Sequence, residues 1–111
     1  MRNMSFAMTT EQIRNGTKTV TRRMGWKFLR GGDMVRPIVK GQGLKKGENV
    51  EVIRGPLKIM GTQRVRLDDI RSTELEGFPD MSPKEFVKMF CMANNCNPWS
   101  YVTRIEFEYT D

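Results

Sequence analysis

Residues 16–23 carry a dense set of reactive groups: Gly-Thr-Lys-Thr-Val-Thr-Arg-Arg holds three hydroxyls, one amine and two guanidinium groups. The leading glycine can adopt the left-handed conformation that ends a helix, and the β-branched residues after it favour a strand. Because side chains alternate along a strand, Thr19, Thr21 and Arg23 share one face. Val20 then points to the other face, toward a core. The segment is therefore either an anion-binding or nucleophile-activating cluster or a solvated polar strand edge.

The absence of histidine from the chain limits the chemistry in which these groups can take part. Ser-His and Cys-His mechanisms are excluded, so any catalysis must use Lys, Glu, Asp, Thr, Tyr or Cys. The two cysteines, Cys91 and Cys96, cannot by themselves complete a tetrahedral zinc site. We expect a buried residue and a free thiol rather than a disulfide, and we expect no metal and no cofactor.

The charge of the chain is segregated along the sequence. The net charge is +6, but residues 1–66 hold 15 Lys or Arg against 4 Asp or Glu, whereas the remainder holds 4 against 9. A basic half that also contains Trp26 suggests a polyanionic partner, with RNA or DNA first; the alternative is that the cations only cover solvent-facing strand positions. A glycine-rich stretch, residues 41–47, adds Lys45 and Lys46 and either closes on a ligand or stays mobile.

Length and hydropathy bound the class of protein. The 111 residues fit one domain with a single modest core, spanning residues 1–111. No apolar run reaches the roughly 18 residues that a membrane span needs. The first residues lack the apolar stretch of a secretory signal, so we expect a cytoplasmic protein that does not contact a membrane.

The hydrophobic pattern predicts two helices and five or six short strands. The clearer helix runs over residues 83–93, with Ser82 and Glu85 spaced as a capping box. A shorter helix, over residues 10–15, has the same spacing after Thr9 and ends at a glycine. Strands are predicted over residues 4–8, 19–23, 34–39, 49–54, 57–67 and 102–109. Because strands and helices do not alternate regularly, we expect an α+β fold: a partly closed antiparallel β-barrel with the helices at its ends.

The order of several motifs resembles that of the ASCH domain family. The first motif, over residues 13–23, is a helix followed by Gly-x-Lys-Thr-x-Thr-x-Arg. Gly-Asp-x-Val follows at residues 32–35, and Glu-Gly-Phe comes at residues 76–78, before a capped helix. The last motif is a closing strand over residues 103–109. The resemblance covers nearly the whole chain. It implies a pseudouridine-synthase-and-archaeosine-transglycosylase-like (PUA-like) β-barrel and a role in RNA binding or RNA-related regulation. Many small single-domain members of the family occur in bacteria and their phages.

Some small bacterial members of this family resemble the chain in length and are amidohydrolases that deacetylate N4-acetylcytidine. Carried over motif by motif, their catalytic Lys, Thr and Glu fall on Lys18, Thr21 and Glu76. The resemblance implies that the Thr hydroxyl attacks and that the Lys amine, with a pKa lowered by burial or by nearby cations, takes its proton. The Glu would carry a proton to the leaving amine, and Glu74 is a local competitor for this role. The candidate substrate- or RNA-binding residues are Thr19, Arg22, Arg23, Trp26, Lys45 and Lys46.

Three functions from different classes stay open. An amidohydrolase acting on an acylated nucleoside would use the three candidate catalytic residues. A non-catalytic RNA-binding module would hold phosphate with the same cluster and stack a base on Trp26 or Trp99, and a metal-independent ribonuclease is a variant of it. A phage accessory factor would engage a host protein through a methionine-rich surface, which the nine methionines permit.

Overall fold

The chain folds into five strands and two α-helices over the residues that the structure, a computed structural model, describes: residues 1–41 and 49–111. The strands are β1 (Arg2–Ser5), β2 (Val20–Arg23), β3 (Met34–Ile38), β4 (Leu57–Arg66) and β5 (Tyr101–Tyr109). The helices are α1 (Thr10–Arg14) and α2 (Pro83–Asn94), and a short 3-10 helix spans Leu67–Asp69. Both predicted helices are present, and the α+β class is confirmed. None of the described helices is long and apolar enough to cross a membrane.

All five strands form one mixed sheet in the order β1-β3-β4-β5-β2. β1 and β3 are parallel, and the other neighbouring pairs are antiparallel. The prediction of a purely antiparallel arrangement is therefore wrong at one edge, because α1 and β2 separate β1 from β3 and give the chain the crossover that a parallel pair needs. Over the described residues, the sheet does not close into a barrel. Its edge strands β1 and β2 are joined by a side chain instead, where Arg23 Nη2 donates a hydrogen bond to the Ser5 carbonyl at 2.7 Å.

The strand predicted over residues 49–54 is reduced to a single bridge. Val52, which belongs to none of the named strands, pairs with Ile38 at the end of β3. Next to this bridge, Ile53 N donates to Pro37 O at 2.9 Å. Pro37 has no backbone N–H to donate in return, so the ladder cannot continue along β3.

Local chemistry explains where α2 begins and ends. The Ser82 hydroxyl accepts a hydrogen bond from Glu85 N at 3.1 Å, and the Glu85 carboxylate accepts one from Ser82 N at 3.0 Å, so the predicted capping box is confirmed. Pro83 takes the first helical position, and Asn95 ends the helix in the left-handed conformation. The capping box predicted at Thr9 is wrong. Its backbone, with φ −128° and ψ 29°, lies outside the extended region that caps use, and its side chain makes no capping bond.

Two apolar clusters pack the helices against the sheet. The members of the first cluster, around α1 and the middle of the sheet, are Met4, Phe6, Ile13, Leu29, Val35, Leu57, Ile59, Ile105 and Phe107. The members of the second cluster, around α2 and the 3-10 helix, are Leu67, Ile70, Phe86, Phe90 and Val102. The core is therefore divided in two, and the candidate site lies where the halves meet.

Candidate active site

A cavity of about 250 Å³ lies between the two apolar clusters. Phe6 of the first cluster and Phe86 and Phe90 of the second line it, so part of its wall is aromatic. Side chains with polar or charged ends also line the cavity, among them Lys18, Thr21, Arg22, Arg23 and Glu76. Three basic groups and a carboxylate thus share a small and partly apolar space, in which charge interactions are stronger than in water.

Glu76 reaches the cavity because the chain before α2 packs closely against α1. Gly77 has φ +93°, and a Cβ at this position would lie 3.1 Å from Thr9 Cγ2, so a side chain would be strained both by the backbone conformation and by the lack of space. Just before it, Leu75 O accepts a hydrogen bond from Thr19 N at 2.9 Å. The segment around Glu76 is thereby tied to the start of β2, and the two halves of the predicted site come together.

The Lys18 amine is buried, and its pKa is low. The residue is 3% exposed, and Nζ donates a hydrogen bond to the backbone carbonyl of Glu76 at 2.5 Å. Burial, assisted by the charges of Arg23 and Arg22, lowers the pKa of the amine from 10.5 to about 7, against the opposing effect of the Glu76 carboxylate. At neutral pH a large fraction of this amine is therefore uncharged and able to accept a proton.

Arg22 and Glu76 form a buried ion pair that leaves two polar atoms without partners. Arg22 Nη1 donates to Glu76 Oε2, and the two side chains are 9% and 2% exposed. Within the described part of the chain, neither Arg22 Nε nor Glu76 Oε1 has a hydrogen-bond partner. Buried polar atoms of native proteins are nearly always hydrogen-bonded, so this donor and this acceptor are the groups that a bound molecule would satisfy.

Arg23 orients the Thr21 hydroxyl. Arg23 Nε donates to Thr21 Oγ1 at 3.1 Å, and the guanidinium lies 4.7 Å from the centre of the Phe6 ring. Burial lowers the pKa of Arg23 to about 10, so this side chain stays charged at neutral pH. Among the residues that the structure describes, no hydrogen bond joins the Thr21 hydroxyl to the Lys18 amine, although both groups line the cavity.

The remaining predicted site residues that the structure describes lie outside the cavity. Thr19 does not line it and lies before β2, which begins at Val20, one residue later than predicted. Trp26 lines a neighbouring groove instead. Glu74, the competitor for the glutamate role, is exposed to solvent. Lys45 and Lys46 fall outside the described residues.

The aromatic wall is the part of the site that the sequence does not reveal. The helical spacing of Phe86, Met89 and Phe90 predicts an apolar face for core packing, which is confirmed for the two phenylalanines. All three also line the cavity. Phe78 completes the wall, with the Lys18 amine 5.9 Å from its ring centre. Its sequence signal is its place in the Glu-Gly-Phe motif, directly after the glutamate that enters the site.

The polar lining is suited to an organic group that contains a carbonyl. Arg22 and Arg23 can donate to an oxygen, Glu76 Oε1 can accept from an N–H, and Lys18 can take a proton. In residues 1–41 and 49–111, no group of three or more Cys, Asp or Glu side chains is placed to hold a metal ion. The arrangement can therefore polarise a carbonyl, stabilise an oxyanion and move a proton.

Comparison with known proteins adds information on the fold. No protein-family model matches the chain, and no curated protein matches it significantly. The crystal structure of hypothetical protein PH0355 is similar, with a TM-score of 0.58 and 18% sequence identity over 96% of this chain and 94% of that one. Because one fold hosts many functions, a similarity at this identity shows the fold alone. The chain thus shares its fold with a solved structure over nearly the full length of both proteins.

Proposed function

We propose that this chain is an ASCH-like hydrolase that removes an acyl group from the amino group of a nucleobase, with N4-acetylcytidine as its test substrate. The observation that carries the proposal is the buried Lys18 amine, whose pKa of about 7 suits it to act as a base at neutral pH. It shares a cavity with Thr21 and Glu76. These are the two further residue types that the resembling amidohydrolases use.

The reaction begins with a proton transfer from Thr21 to Lys18. The hydroxyl oxygen attacks the acyl carbon of the substrate amide while the neutral amine takes the hydroxyl proton. When the tetrahedral intermediate collapses, the carbon–nitrogen bond breaks, and the Glu76 carboxylate relays the proton from the lysine ammonium to the leaving nitrogen. Water then hydrolyses the threonine ester, which releases the carboxylic acid and restores the hydroxyl.

Two arginines supply the electrostatics of these steps. The 3.1 Å bond from Arg23 Nε to Thr21 Oγ1 stabilises negative charge on this oxygen as its proton leaves. Arg22 Nε, unpartnered within the described residues, donates to a carbonyl of the substrate. In the structure the Lys18 amine donates to Glu76 O. Proton transfer therefore requires that the amine and the Thr21 hydroxyl come within hydrogen-bond distance when substrate is bound.

A partly closed PUA-like barrel is the fold that accompanies this function. Its support is the separation of the edge strands β1 and β2, which a single guanidinium spans in the bond from Arg23 to Ser5. Both residues also line the cavity. The gap between the edge strands β1 and β2 is then the opening through which the acylated base enters.

The proposal is tested by incubating the purified protein with N4-acetylcytidine and measuring cytidine and acetate by chromatography. The wild-type protein should release both, and Lys18→Met and Thr21→Val should each lower the rate by about 100-fold or more, the usual range for loss of acid–base catalysis. Lys84→Met, the same change at an exposed position of α2, should keep the wild-type rate. Absence of cytidine from the wild-type reaction, or an unchanged rate in Lys18→Met, overturns the proposal.

RNA binding without hydrolysis is a second candidate, favoured by the three basic side chains that line the cavity and by the basic first half of the chain. In this function the cluster holds a phosphate. The affinity for an RNA oligonucleotide should then fall steeply with added salt, because bound cations displace counterions, and no cytidine should be released. Shortened RNA after incubation would identify the ribonuclease variant, whereas an affinity independent of salt counts against RNA binding.

A further inference from the structure

A groove of about 640 Å³ adjoins the cavity and shares Arg23 with it. Ser5 and Ala7 also line both spaces, which are neighbours across this short stretch of chain. Away from the cavity, the groove is lined by Trp26 and Lys40. A molecule held in the cavity can therefore extend into the groove.

The cavity is smaller than the sites that typically enclose a whole drug-sized molecule. Sites that bury a drug-sized molecule have volumes of roughly 300–1,000 Å³, and the cavity has about 250 Å³. We therefore expect the cavity to hold the acylated base, with the ribose and phosphate of the same nucleotide, and any neighbouring nucleotide, outside it. The groove is the adjoining space that can receive them.

The groove carries the groups that bind single strands. Arg23 and Lys40 provide positive charge, and no acidic side chain lines the groove among the residues described. Trp26 provides an aromatic face and packs against Phe28, with the two ring centres 5.4 Å apart. Phe28 does not line the groove; it is 51% exposed and has the Arg2 guanidinium 4.5 Å from its ring centre. Proteins that bind single strands typically combine cations, which contact the phosphates, with aromatic rings, on which the bases stack.

The backbone holds Trp26 at the groove in an unfavourable conformation. Trp26 has φ +53° and Gly25 has φ +75°, so two consecutive residues are left-handed. This conformation is costly for a bulky residue. Thr103 Oγ1 donates to Gly25 O and fixes the turn. Residues held in such conformations by their surroundings cluster at functional sites.

We propose that the groove binds the nucleotide next to the acylated base, and that the substrate is a single-stranded oligonucleotide rather than a free nucleoside. This inference rests on the hydrolase function proposed for the cavity. Trp26 stacks on the neighbouring base, and Arg23 and Lys40 contact the phosphate between the two nucleotides. Ribose and deoxyribose strands share this chemistry, so the experiment includes both.

The test compares kcat/KM for N4-acetylcytidine with kcat/KM for trinucleotides that carry acetylated cytosine at the centre, made with ribose or with deoxyribose. At least one trinucleotide should be preferred by roughly 5- to 150-fold, the range for one stacked base. Trp26→Ala should lose most of this preference and Lys40→Met part of it. Lys58→Met, the same change at an exposed position of β4, should keep it. The preferred sugar identifies the strand as RNA or DNA.

The groove and the hydrolase function can fail separately. Equal kcat/KM for nucleoside and trinucleotides overturns the groove proposal and leaves the hydrolase standing. If nothing is hydrolysed, the hydrolase proposal fails, and the groove is tested by fluorescence anisotropy with a labelled trinucleotide. Weaker binding by Trp26→Ala or Lys40→Met than by the wild type then supports a single-strand site, and unchanged binding by both variants overturns it.

Discussion

Replacement of Lys18 by methionine should change how the stability of the protein depends on pH. The pKa of the amine is about 7 in the folded protein, against an ordinary value of 10.5. Between these pH values the unfolded chain binds more protons than the folded one, so the free energy of unfolding rises with pH by about 1.4 kcal/mol per pH unit. Between pH 7 and pH 10.5 the free energy of unfolding therefore rises by about 5 kcal/mol in total. Below pH 7 the buried amine destabilises the folded protein by this whole amount. A methionine does not titrate and lacks this contribution.

Urea unfolding followed by circular dichroism measures the effect. The quantity to compare is the free energy of unfolding of the wild type minus that of Lys18→Met, because groups that titrate in both proteins cancel. This difference should rise by about 2 to 3 kcal/mol between about pH 7.5 and about pH 9.5. With Lys84→Met, at an exposed position, the difference should not change with pH. If the difference in free energy of unfolding between the wild type and Lys18→Met does not change with pH, the reasoning that the buried amine has a pKa near 7 is refuted.

Three further substitutions test the elements that support the site. Ser82→Ala removes the bond to Glu85 N and should lower the free energy of unfolding by about 1 kcal/mol, measured in urea, whereas Ser82→Thr should keep most of it. Gly77→Ala forces a Cβ against α1 at φ +93° and should cost about 1–2 kcal/mol or more; an unchanged melting temperature would contradict the close packing. Tyr109→Phe removes the 2.5 Å bond from the hydroxyl to Lys18 O and should cost about 1 kcal/mol in thermal unfolding. Equal stability of this variant would show that the bond is not needed.

Local sequence signals predict the elements of this fold better than their arrangement. Ser82 and Glu85 fix the start of α2 through bonds within one turn, so the capping box can be predicted from spacing. The parallel pairing of β1 with β3 cannot, because it depends on contacts across a crossover rather than on the residues of either strand. Pro37 is a signal that strand prediction over residues 49–54 overlooks, since it lies on the partner strand and acts by lacking a donor.

In the candidate site, too, some residues have a local sequence signal and others depend on the whole fold. Lys18 and Thr21 belong to one short motif, so the sequence places both near the start of β2. Glu76 enters through the contact of Gly77 with α1, which no local pattern encodes, and the motif order supplied it instead. The pKa of Lys18 follows from the depth of burial, a property of the whole fold. Trp26 is turned toward the groove by two left-handed residues that composition does not predict.

The proposed function depends above all on the buried Lys18 amine as the base of a hydrolytic reaction. The most direct measurement is the pH dependence of kcat/KM for release of cytidine from N4-acetylcytidine. Activity should rise with pH through a midpoint near 7, as the amine loses its proton. Release of cytidine with a midpoint near the ordinary lysine value, a rate independent of pH, or no release at any pH would contradict this role of the amine.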